Sequence, residues 1–566
     1  MPITTITSDY TISNVDNNFK VSAGPGAGKT YWVVNHLKNI LHNSKKLSVT
    51  RKIACITYTN TAVEKIYNRL GTSSTQVEVS TIHSFLYKHV VKPYVSFIAA
   101  QYNLDVSKID GHDDIILSNY GFLNDWKTRT GQQRIREDDK IIKAFNKLRW
   151  QIQGDDLVVK TPYPISASNY PIKNNSYLEY KKMTWEKGVI HHDDVLFFSY
   201  QILKQRPFVV KVLLAKFPYL VIDEFQDCNP IQIEIFKTLG LEGIITGVVG
   251  DSFQSIYKFQ GAEFNQFRNF NLPDIKEYIL NENRRSSNEI IELLNSVRTD
   301  VTQVPHRNLS IAKPLILIGD MSLSLRKCKE ICVQEDVVSL SRINITSNAM
   351  KTEISGVGLN GKLLNELIEI DKPNSGNKYR SKLIFSCIKS VALAREGKFK
   401  DAINELEKFF NYKTDKLKGK RKSLQYITIL LNGYDEYKLY SLLEFSEYVR
   451  LNLETNMTKV TRGATKAFYE NHTLNQLILC VNVPEDLSLH KTIHKSKGDE
   501  FKNVLLVLKE ESDIDFLIHP DLENDEEQRI NYVAISRAQD KLFISVPSLS
   551  NERRQFLISL LDIDLL

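Results

Sequence analysis

The sequence lacks the features that mark membrane and secreted proteins. Its 566 residues contain no run of about 18 apolar residues, so no transmembrane helix is predicted. Residues 1–19 are polar and lack the apolar core of a signal peptide. The six cysteines form no CxxC pair, and Cys328 and Cys332 have no second pair or histidine cluster to complete a zinc site. These absences predict a cytoplasmic protein that has no contact with a membrane.

The excess of positive charge is small. Lys and Arg number 74 against 67 Asp and Glu, which gives a formal net charge of +7. Such an excess permits nucleic-acid binding without arguing for it, and a solvated surface is the simpler explanation. The length suggests roughly three or four domains.

Short apolar segments alternate with segments of helical pattern over much of the chain. Strands are predicted at 19–22, 53–58, 77–81, 219–223, 244–250, 277–280, 504–508 and 541–546. Helices are predicted over 30–41, near His83, and from Thr61, where Glu64 would complete a capping box. The alternation predicts an α/β fold with doubly wound parallel sheets.

A phosphate-binding loop lies between the first predicted strand and the first predicted helix. Residues 23–30 read AGPGAGKT, a Walker A sequence with alanine in place of the first glycine. Glycines let backbone N–H groups point at phosphate oxygens, and the helix N-terminus adds a favourable dipole. Lys29 would reach the β- and γ-phosphates and Thr30 would ligate Mg²⁺; the alternative is a glycine-rich turn without a ligand. The predicted nucleotide-binding residues of the loop are Ala23, Gly24, Pro25, Gly26, Ala27, Gly28, Lys29 and Thr30.

An acidic pair follows the buried strand at 219–223. Asp223 would hold Mg²⁺, usually through water, and Glu224 would orient or deprotonate the attacking water. A surface acid pair at the end of a strand is the alternative, and the phosphate loop upstream argues against it.

Seven segments together resemble the motifs of UvrD, Rep and PcrA helicases. They are residues 56–62 (ITYTNTA), 81–85 (TIHSF), 223–229 (DEFQDCN), 248–257 (VVGDSFQSIY), 283–286 (NRRS), 492–501 (TIHKSKGDEF) and 532–538 (YVAISRA). Their order and spacing fit the family over nearly the whole chain. The resemblance implies a P-loop NTPase with two RecA-like lobes, each with a mainly helical insertion.

The resemblance also implies a role for each matching residue. Gln254 would sense the γ-phosphate, Arg285 and Arg537 would neutralise charge in the transition state, and Glu500 would lie at the nucleotide. Residues that would line a groove for single-stranded DNA are Tyr58, Thr59, His83, Tyr257, Phe259, Thr492 and His494. Aromatic side chains there would stack on bases at about 1–3 kcal/mol each, whereas packing in the core is the alternative for each of them.

Three departures from the family pattern concern ATP and coupling. No glutamine precedes Gln76, although the family has a glutamine before Walker A that reads adenine. Tyr31 stands where the family has arginine and Arg284 where it has tyrosine, so a base could still be sandwiched with the two faces exchanged. Gln260 replaces the arginine of the family's WRGA segment, which predicts weaker coupling between hydrolysis and the DNA groove.

The predicted domain plan follows from these matches. The first lobe comprises 1–90 and 186–282 with its insertion at 91–185, and the second comprises 283–349 and 481–566 with a reduced insertion at 350–480. The chain ends soon after the strand at 541–546, which leaves no room for a nuclease domain. This compact plan resembles the helicase subunit of Gabija anti-phage systems, which works with a separate OLD-family nuclease. A basic run at 416–422 would contact DNA or a partner, or else form a solvated loop.

The sequence therefore predicts a helicase or translocase that uses ATP and Mg²⁺ on single-stranded DNA or a tailed duplex. The family direction is 3′ to 5′, and the pathway would be phage defence or DNA repair, with a separate nuclease as partner. One alternative is a DNA-activated ATPase that senses DNA ends or single strands and regulates a nuclease with little unwinding. Another is a nucleotide-dependent subunit whose task is assembly.

Overall fold

The chain forms two compact units. The computed structural model describes residues 3–112, 116–167, 170–333, 335–372, 379–410, 416–484 and 488–566. Unit 1 comprises Met1–Arg284 and Thr299–His306, and unit 2 comprises Arg285–Arg298 and Arg307–Leu566. The sequence pattern gives no sign that the chain returns to unit 1 at Thr299–His306.

Unit 1 contains most of the elements that the sequence pattern predicts. Its strands are β1 Thr4–Ile6, β2 Phe19–Ala23, β3 Ile53–Thr57, β4 Val77–Thr81, β5 Arg149–Gln153, β6 Asp156–Lys160, β7 Ser166–Ala167, β8 Tyr170–Pro171, β9 Tyr219–Ile222, β10 Ile245–Gly250, β11 Lys276–Leu280, β12 Glu282–Asn283 and β13 Val304–Pro305. Its helices are α1 Lys29–Asn43, α2 Asn60–Leu70, α3 Ile82–Leu86, α4 Lys92–Tyr94, α5 Tyr120–Arg129, α6 Asp138–Phe145, α7 Asn175–Trp185, α8 His192–Gln205, α9 Phe208–Lys216, α10 Pro230–Leu241 and α11 Phe264–Asn269.

A seven-stranded sheet forms the centre of unit 1, in the order β1-β11-β2-β10-β9-β3-β4. All of its pairs are parallel. One face packs against α1 and α2, and the other against α8 and α10, so strands β3, β9 and β10 are buried along their whole length. Because the strands are parallel, their carboxyl ends lie at the same edge of the sheet. The loops that follow them all begin at that edge.

The first insertion is mainly helical, as predicted, and it also has strands that the sequence pattern did not indicate. It contains helices, but also two antiparallel hairpins, β5–β6 and β7–β8. The buried carboxylate of Asp194 on α8 holds the insertion in place. This carboxylate accepts hydrogen bonds from the indole nitrogens of Trp150 and Trp185 at 2.8 and 3.1 Å. Lys181 Nζ lies 2.8 Å from the same carboxylate and compensates its charge.

Unit 2 contains a second parallel sheet and a helical insertion. Its strands are β14 Leu315–Ile318, β15 Val337–Ser341, β16 His490–Thr492, β17 Phe501–Val507, β18 Ala538–Val546 and β19 Asp562–Leu565, in the spatial order β16-β15-β17-β18-β14-β19. Its helices are α12 Asn288–Val297, α13 Met321–Cys332, α14 Asn344–Lys351, α15 Leu363–Ile370, α16 Arg380–Arg395, α17 Phe399–Phe410, α18 Lys416–Asn432, α19 Tyr434–Tyr437, α20 Leu442–Asn452, α21 Gly463–Asn471, α22 Leu474–Ile478, α23 Asp515–Ile518, α24 Glu526–Ile535 and α25 Asn551–Leu557. Helices α15 to α22 share a hydrophobic core of their own.

Two local predictions were wrong. Helix α2 begins at Asn60, and its cap is Thr59, whose Oγ1 accepts a hydrogen bond from the Ala62 amide at 3.2 Å. The basic run at 416–422, for which a solvated loop was one expectation, belongs to helix α18. Among the described residues, no helix combines the length and apolar character needed to cross a membrane.

Candidate nucleotide site and nucleic-acid face

The phosphate loop begins where β2 ends at Ala23 and finishes where α1 begins at Lys29. Gly26 and Gly28 have φ of 72° and 79°, the left-handed region that glycine adopts most readily. Gly24 packs so closely on Gln303 that a Cβ there would lie 2.1 Å from Gln303 Nε2. The same amide nitrogen donates to the Pro25 carbonyl at 2.8 Å, so the returning segment Thr299–His306 supports the loop.

The acidic pair lies beside this loop. Asp223 directly follows β9, is 3% exposed, and accepts a hydrogen bond from Thr30 Oγ1 at 3.4 Å. Burial, and then the Glu224 carboxylate, raise the pKa of Asp223, although Lys29 acts in the opposite direction. A hydroxyl and a buried carboxylate with a raised pKa are oxygen donors that suit a hard cation, so the residues present fit Mg²⁺.

The γ-phosphate sensor predicted from sequence lies in the loop after β10. Gln254 Nε2 donates to Asp251 Oδ2 at 2.6 Å, and both side chains are buried. Asp251 N in turn donates to Gln226 Oε1 at 3.0 Å, and Gln226 Nε2 donates to Glu224 Oε2 at 2.5 Å. The candidate base and the candidate sensor therefore belong to one hydrogen-bonded chain.

The exchanged pair of residues is in direct contact. The Arg284 guanidinium carbon lies 5.2 Å from the centroid of the Tyr31 ring. Asp9 joins them, because it accepts a hydrogen bond from Tyr31 Oη at 2.9 Å and another from Arg284. First the Tyr31 hydrogen bond and then the Arg284 charge hold the pKa of Asp9 below its ordinary value. A base sandwiched between the pair needs about 7 Å, two van der Waals layers, so the pair must separate to admit one.

Within unit 2, a cluster is formed by Arg285, Glu500 and Arg537. Arg285 Nη2 donates to Glu500 Oε1 at 2.7 Å, and its Nη1 donates to the Ser536 carbonyl at 2.7 Å. Arg537 is buried, and its Nε donates to the Val533 carbonyl at 3.2 Å. Burial raises the pKa of Glu500, but Arg285 and its other neighbours outweigh burial and lower that pKa overall.

Three of the predicted DNA-contacting residues in unit 1 form an aromatic cluster. The rings of Tyr58 and Tyr257 stack at 5.1 Å, and Phe259, which is 66% exposed, lies 5.7 Å from Tyr257. Tyr58 Oη donates a hydrogen bond to Gln260 Oε1, and burial raises the pKa of Tyr58. The side chain that replaces the family's arginine therefore supports this cluster.

The other predicted DNA contacts have different surroundings. Thr59 uses its hydroxyl to cap α2. His83 lies against His192, with ring centroids 5.8 Å apart. In unit 2, Thr492 ends β16 and is only 6% exposed, whereas His494 follows it in a short 3₁₀ turn and is half-buried.

Sequence reasoning missed four residues that position the site. Asp9, Gln226, Asp251 and Gln303 each bind a residue that the sequence does identify. Gln226 and Asp251 lie inside recognised motifs, which was an available signal. Gln303 has no local signal, because its contact depends on the return of the chain to unit 1.

Comparison with known proteins finds similarity to DNA helicases. Residues 7–273 match the family described as UvrD/REP helicase N-terminal domain. The chain is 24% identical to the ATP-dependent DNA helicase Rep of Buchnera aphidicola subsp. Baizongia pistaciae, over 94% of this chain and 90% of that protein. It is 26% identical to the Gabija protein GajB of Bacillus cereus, over 49% of this chain and 46% of GajB. It is 24% identical to the ATP-dependent DNA helicase PcrA of Bacillus subtilis, over 53% and 40%.

Proposed function

Since this chain is a UvrD-like ATP-dependent DNA helicase of superfamily 1A, we propose that it translocates 3′ to 5′ on single-stranded DNA and unwinds tailed duplexes. The observation that carries the proposal is the contact between Thr30 and Asp223, 3.4 Å apart, which joins the phosphate loop to the acidic pair. A glycine-rich turn without a ligand would need no buried acid beside it. Burial and Glu224 raise the pKa of Asp223 even with Lys29 nearby, and a bound cation would further compensate its charge.

The proposed chemistry assigns one task to each side chain. Lys29 and the loop N–H groups bind the phosphates, and Thr30 and Asp223 hold Mg²⁺. When bound, Mg²⁺ would neutralise phosphate charge and orient the γ-phosphate. Glu224 accepts the proton of the attacking water, Gln254 senses the γ-phosphate, and Arg285 and Arg537 neutralise transition-state charge. Glu500 orients Arg285 through their hydrogen bond.

The proposed strand contacts combine aromatic stacking with polar groups. Tyr58, Tyr257 and Phe259 form a platform on which bases of any sequence would stack, and the exposure of Phe259 supports this role. Thr59, His83, Thr492 and His494 are proposed contacts with the strand on the resemblance alone.

A second candidate function is favoured by Gln260. Gln260 stands where the family has an arginine, and its side chain accepts a hydrogen bond from Tyr58. Without the arginine, ATP hydrolysis would be coupled less strongly to movement of the DNA strand. The protein would then be a DNA-activated ATPase that senses ends or single strands and regulates a separate OLD-family nuclease in phage defence or DNA repair. The likeness to the Gabija protein GajB supports this candidate.

The test measures ATP hydrolysis with and without single-stranded DNA, together with unwinding of 3′-tailed and 5′-tailed duplexes. Glu224→Gln serves as the inactive control, since it keeps the shape of the side chain and removes the base. Stimulated hydrolysis with unwinding of the 3′-tailed duplex alone is expected. Stimulated hydrolysis without unwinding would transfer the assignment to the DNA-sensing ATPase, and no hydrolysis above the control would refute both.

A further inference from the structure

We infer that Gln226 is a positioning residue for hydrolysis, one that joins Glu224 to Gln254 so that the candidate base and sensor act as one unit. The inference deepens the proposed function and rests on the roles assigned there to Glu224 and Gln254. Gln226 itself touches neither phosphate nor water in this scheme.

The orientation of the Gln226 amide follows from its partners. The backbone N–H of Asp251 can only donate, so the side-chain atom 3.0 Å from it must be the carbonyl oxygen of Gln226. The amide nitrogen then faces Glu224, whose Oε2 lies 2.5 Å away. Gln226 is 1% exposed, so water cannot easily replace either bond. The Glu224 carboxylate is therefore held from one side by a buried amide donor.

The backbone around this donor is shaped to fit it. Glu224 has φ 54° and ψ 41°, a left-handed conformation that is unfavourable for a residue with a side chain. Gly250, at the end of β10, leaves the space that the amide occupies: a Cβ there would lie 2.6 Å from Gln226 Oε1. Ser255 Oγ also donates to the backbone carbonyl of Gln226 at 3.1 Å. Both loops, after β9 and after β10, are thus built around Gln226.

Asp251 completes the chain of contacts. Its Oδ2 accepts from Gln254 Nε2 at 2.6 Å, and its Oδ1 accepts from Phe253 N at 3.2 Å, while its own N–H holds Gln226. Asp251 is 1% exposed. When Gln254 turns towards a γ-phosphate it must give up its bond to Asp251. The resulting shift of the loop after β10 reaches Gln226, and through Gln226 the carboxylate of Glu224.

A double-mutant cycle tests this coupling. Gln226→Ala and Gln254→Ala are each expected to lower kcat about 100-fold, with the KM for ATP changed less than about threefold, because groups that act as a unit fail together. The double variant is expected to be no more than about threefold slower than the slower single variant, where independent sites would multiply their losses. The matched control is Gln232→Ala: Gln232 is also buried, at 3% exposed, and its side chain accepts from Asn229 N in the capping box of α10.

Gln226→Met separates hydrogen bonding from packing. It keeps the length of the side chain and introduces no buried charge, but it removes the acceptor for Asp251 N and the donor to Glu224, so kcat should fall as far as in Gln226→Ala. The melting temperatures of Gln226→Met and Gln232→Ala show whether a loss of stability accompanies the loss of kcat. Multiplying losses in the Gln226–Gln254 cycle, or an unchanged kcat in Gln226→Met, would overturn the inference. Absence of hydrolysis in the wild type would instead refute the proposed function, so the two failures are distinguishable.

Discussion

The two parallel sheets place their candidate residues differently. In unit 1 the phosphate loop follows β2, the acids follow β9, Gln254 follows β10 and Tyr58 follows β3, so all of them lie at the carboxyl edge of one sheet. In unit 2, Glu500 precedes β17 and Arg537 precedes β18, which puts them at the amino edge. Thr492 ends β16 and therefore lies at the opposite, carboxyl edge.

The difference indicates how nucleotide binding could be coupled to DNA-strand binding in each unit. In unit 1 the candidate nucleotide-binding residues and the candidate DNA-binding residues share loops. Gln254 and Tyr257, for example, lie in the same loop, so a shift of that loop moves both. In unit 2 the two sets are separated by the length of β17, whose seven residues span about 20 Å. Residues 493–500 connect the two edges, and Lys491 Nζ, next to Thr492, lies 3.9 Å from Asp499 Oδ2. We expect ATP hydrolysis and DNA binding to be separable by substitution in unit 2, because the two groups of residues share no loop position.

The largest expected effect comes from the arginines of unit 2. Arg285→Ala or Arg537→Ala should lower kcat for ATP by about 1,000-fold, the range typical of transition-state arginines. Because neither lies at the edge that carries Thr492, the dissociation constant for single-stranded DNA, measured by fluorescence anisotropy, should stay within about twofold of the wild type. Arg326→Ala is the control, since Arg326 is an exposed arginine of unit 2 paired with Glu353. A parallel loss of DNA affinity would contradict the separation of edges.

A smaller effect is expected at the phosphate loop. Gly28→Ala places a Cβ at φ 79°, 3.3 Å from Ser8 Cβ, and should raise the KM for ATP about tenfold, equivalent to about 1.4 kcal/mol. Gly397→Ala is the matched control, because Gly397 has φ 74° with open space around it and lies in unit 2. It should lower stability by about 1 kcal/mol without changing KM. Equal KM values for the two variants would show that the loop tolerates the strain.

Acid should destabilise unit 1 through His36. Burial lowers the pKa of His36 from 6.5 to about 3, and neither ring nitrogen has a hydrogen-bond partner among the described residues. The unfolded chain therefore takes up the proton first, and stability should fall by about 1.4 kcal/mol per pH unit as pH drops from 6.5 towards 3. All four tryptophans lie in unit 1, so urea unfolding followed by tryptophan fluorescence reports that unit. In His36→Leu the slope should be shallower by this amount; an unchanged slope would assign acid sensitivity to other groups.

The smallest effect is expected at the exchanged pair. Tyr31→Ala and Arg284→Ala should each raise the KM for ATP about two- to fivefold, because a cation–π or stacking contact is worth about 0.5–1 kcal/mol at an exposed position. Tyr67→Ala, at an exposed tyrosine of α2, is the control. If both variants leave KM unchanged, the pair does not bind the base.

The parts of the fold that were predictable are those with many buried residues in a row. The central strands β3, β9 and β10 are buried throughout, and their apolar runs mark them in the sequence. Two edge strands, β1 and β19, were missed because they bury little: β1 buries only Ile6, and no residue of β19 is fully buried. The edge strand β4 was predicted, because Val77 and Val79 alternate with polar residues. Strands β14 and β15 were also missed, because their short apolar runs do not stand out beside the long helical insertion. Strand β16 was missed because its three residues, His490–Thr492, include no apolar side chain.

In the candidate site, the residues with a role in binding or hydrolysis were easier to predict than the residues that hold them in position. Lys29, Asp223 and Glu224 have residue types and spacing that follow from phosphate chemistry. The cap of α2 depends on which hydroxyl reaches the Ala62 amide, and the sequence offers both Thr59 and Thr61. Gln260 could be noted as a replacement but not placed against Tyr58, since that bond spans two separate loops.

The return of Thr299–His306 to unit 1 sets an order on biosynthesis. A ribosome completes the seven strands of the first sheet by Leu280, yet β13 and Gln303 are still to be made, with α12 of the other unit ahead of them. Translation adds about 5–20 residues per second. The nascent phosphate loop therefore lacks the contact with Gln303 until part of the next unit has been synthesised. A fragment ending at Arg284 would carry every Walker residue and lack the amide that holds Pro25 in place.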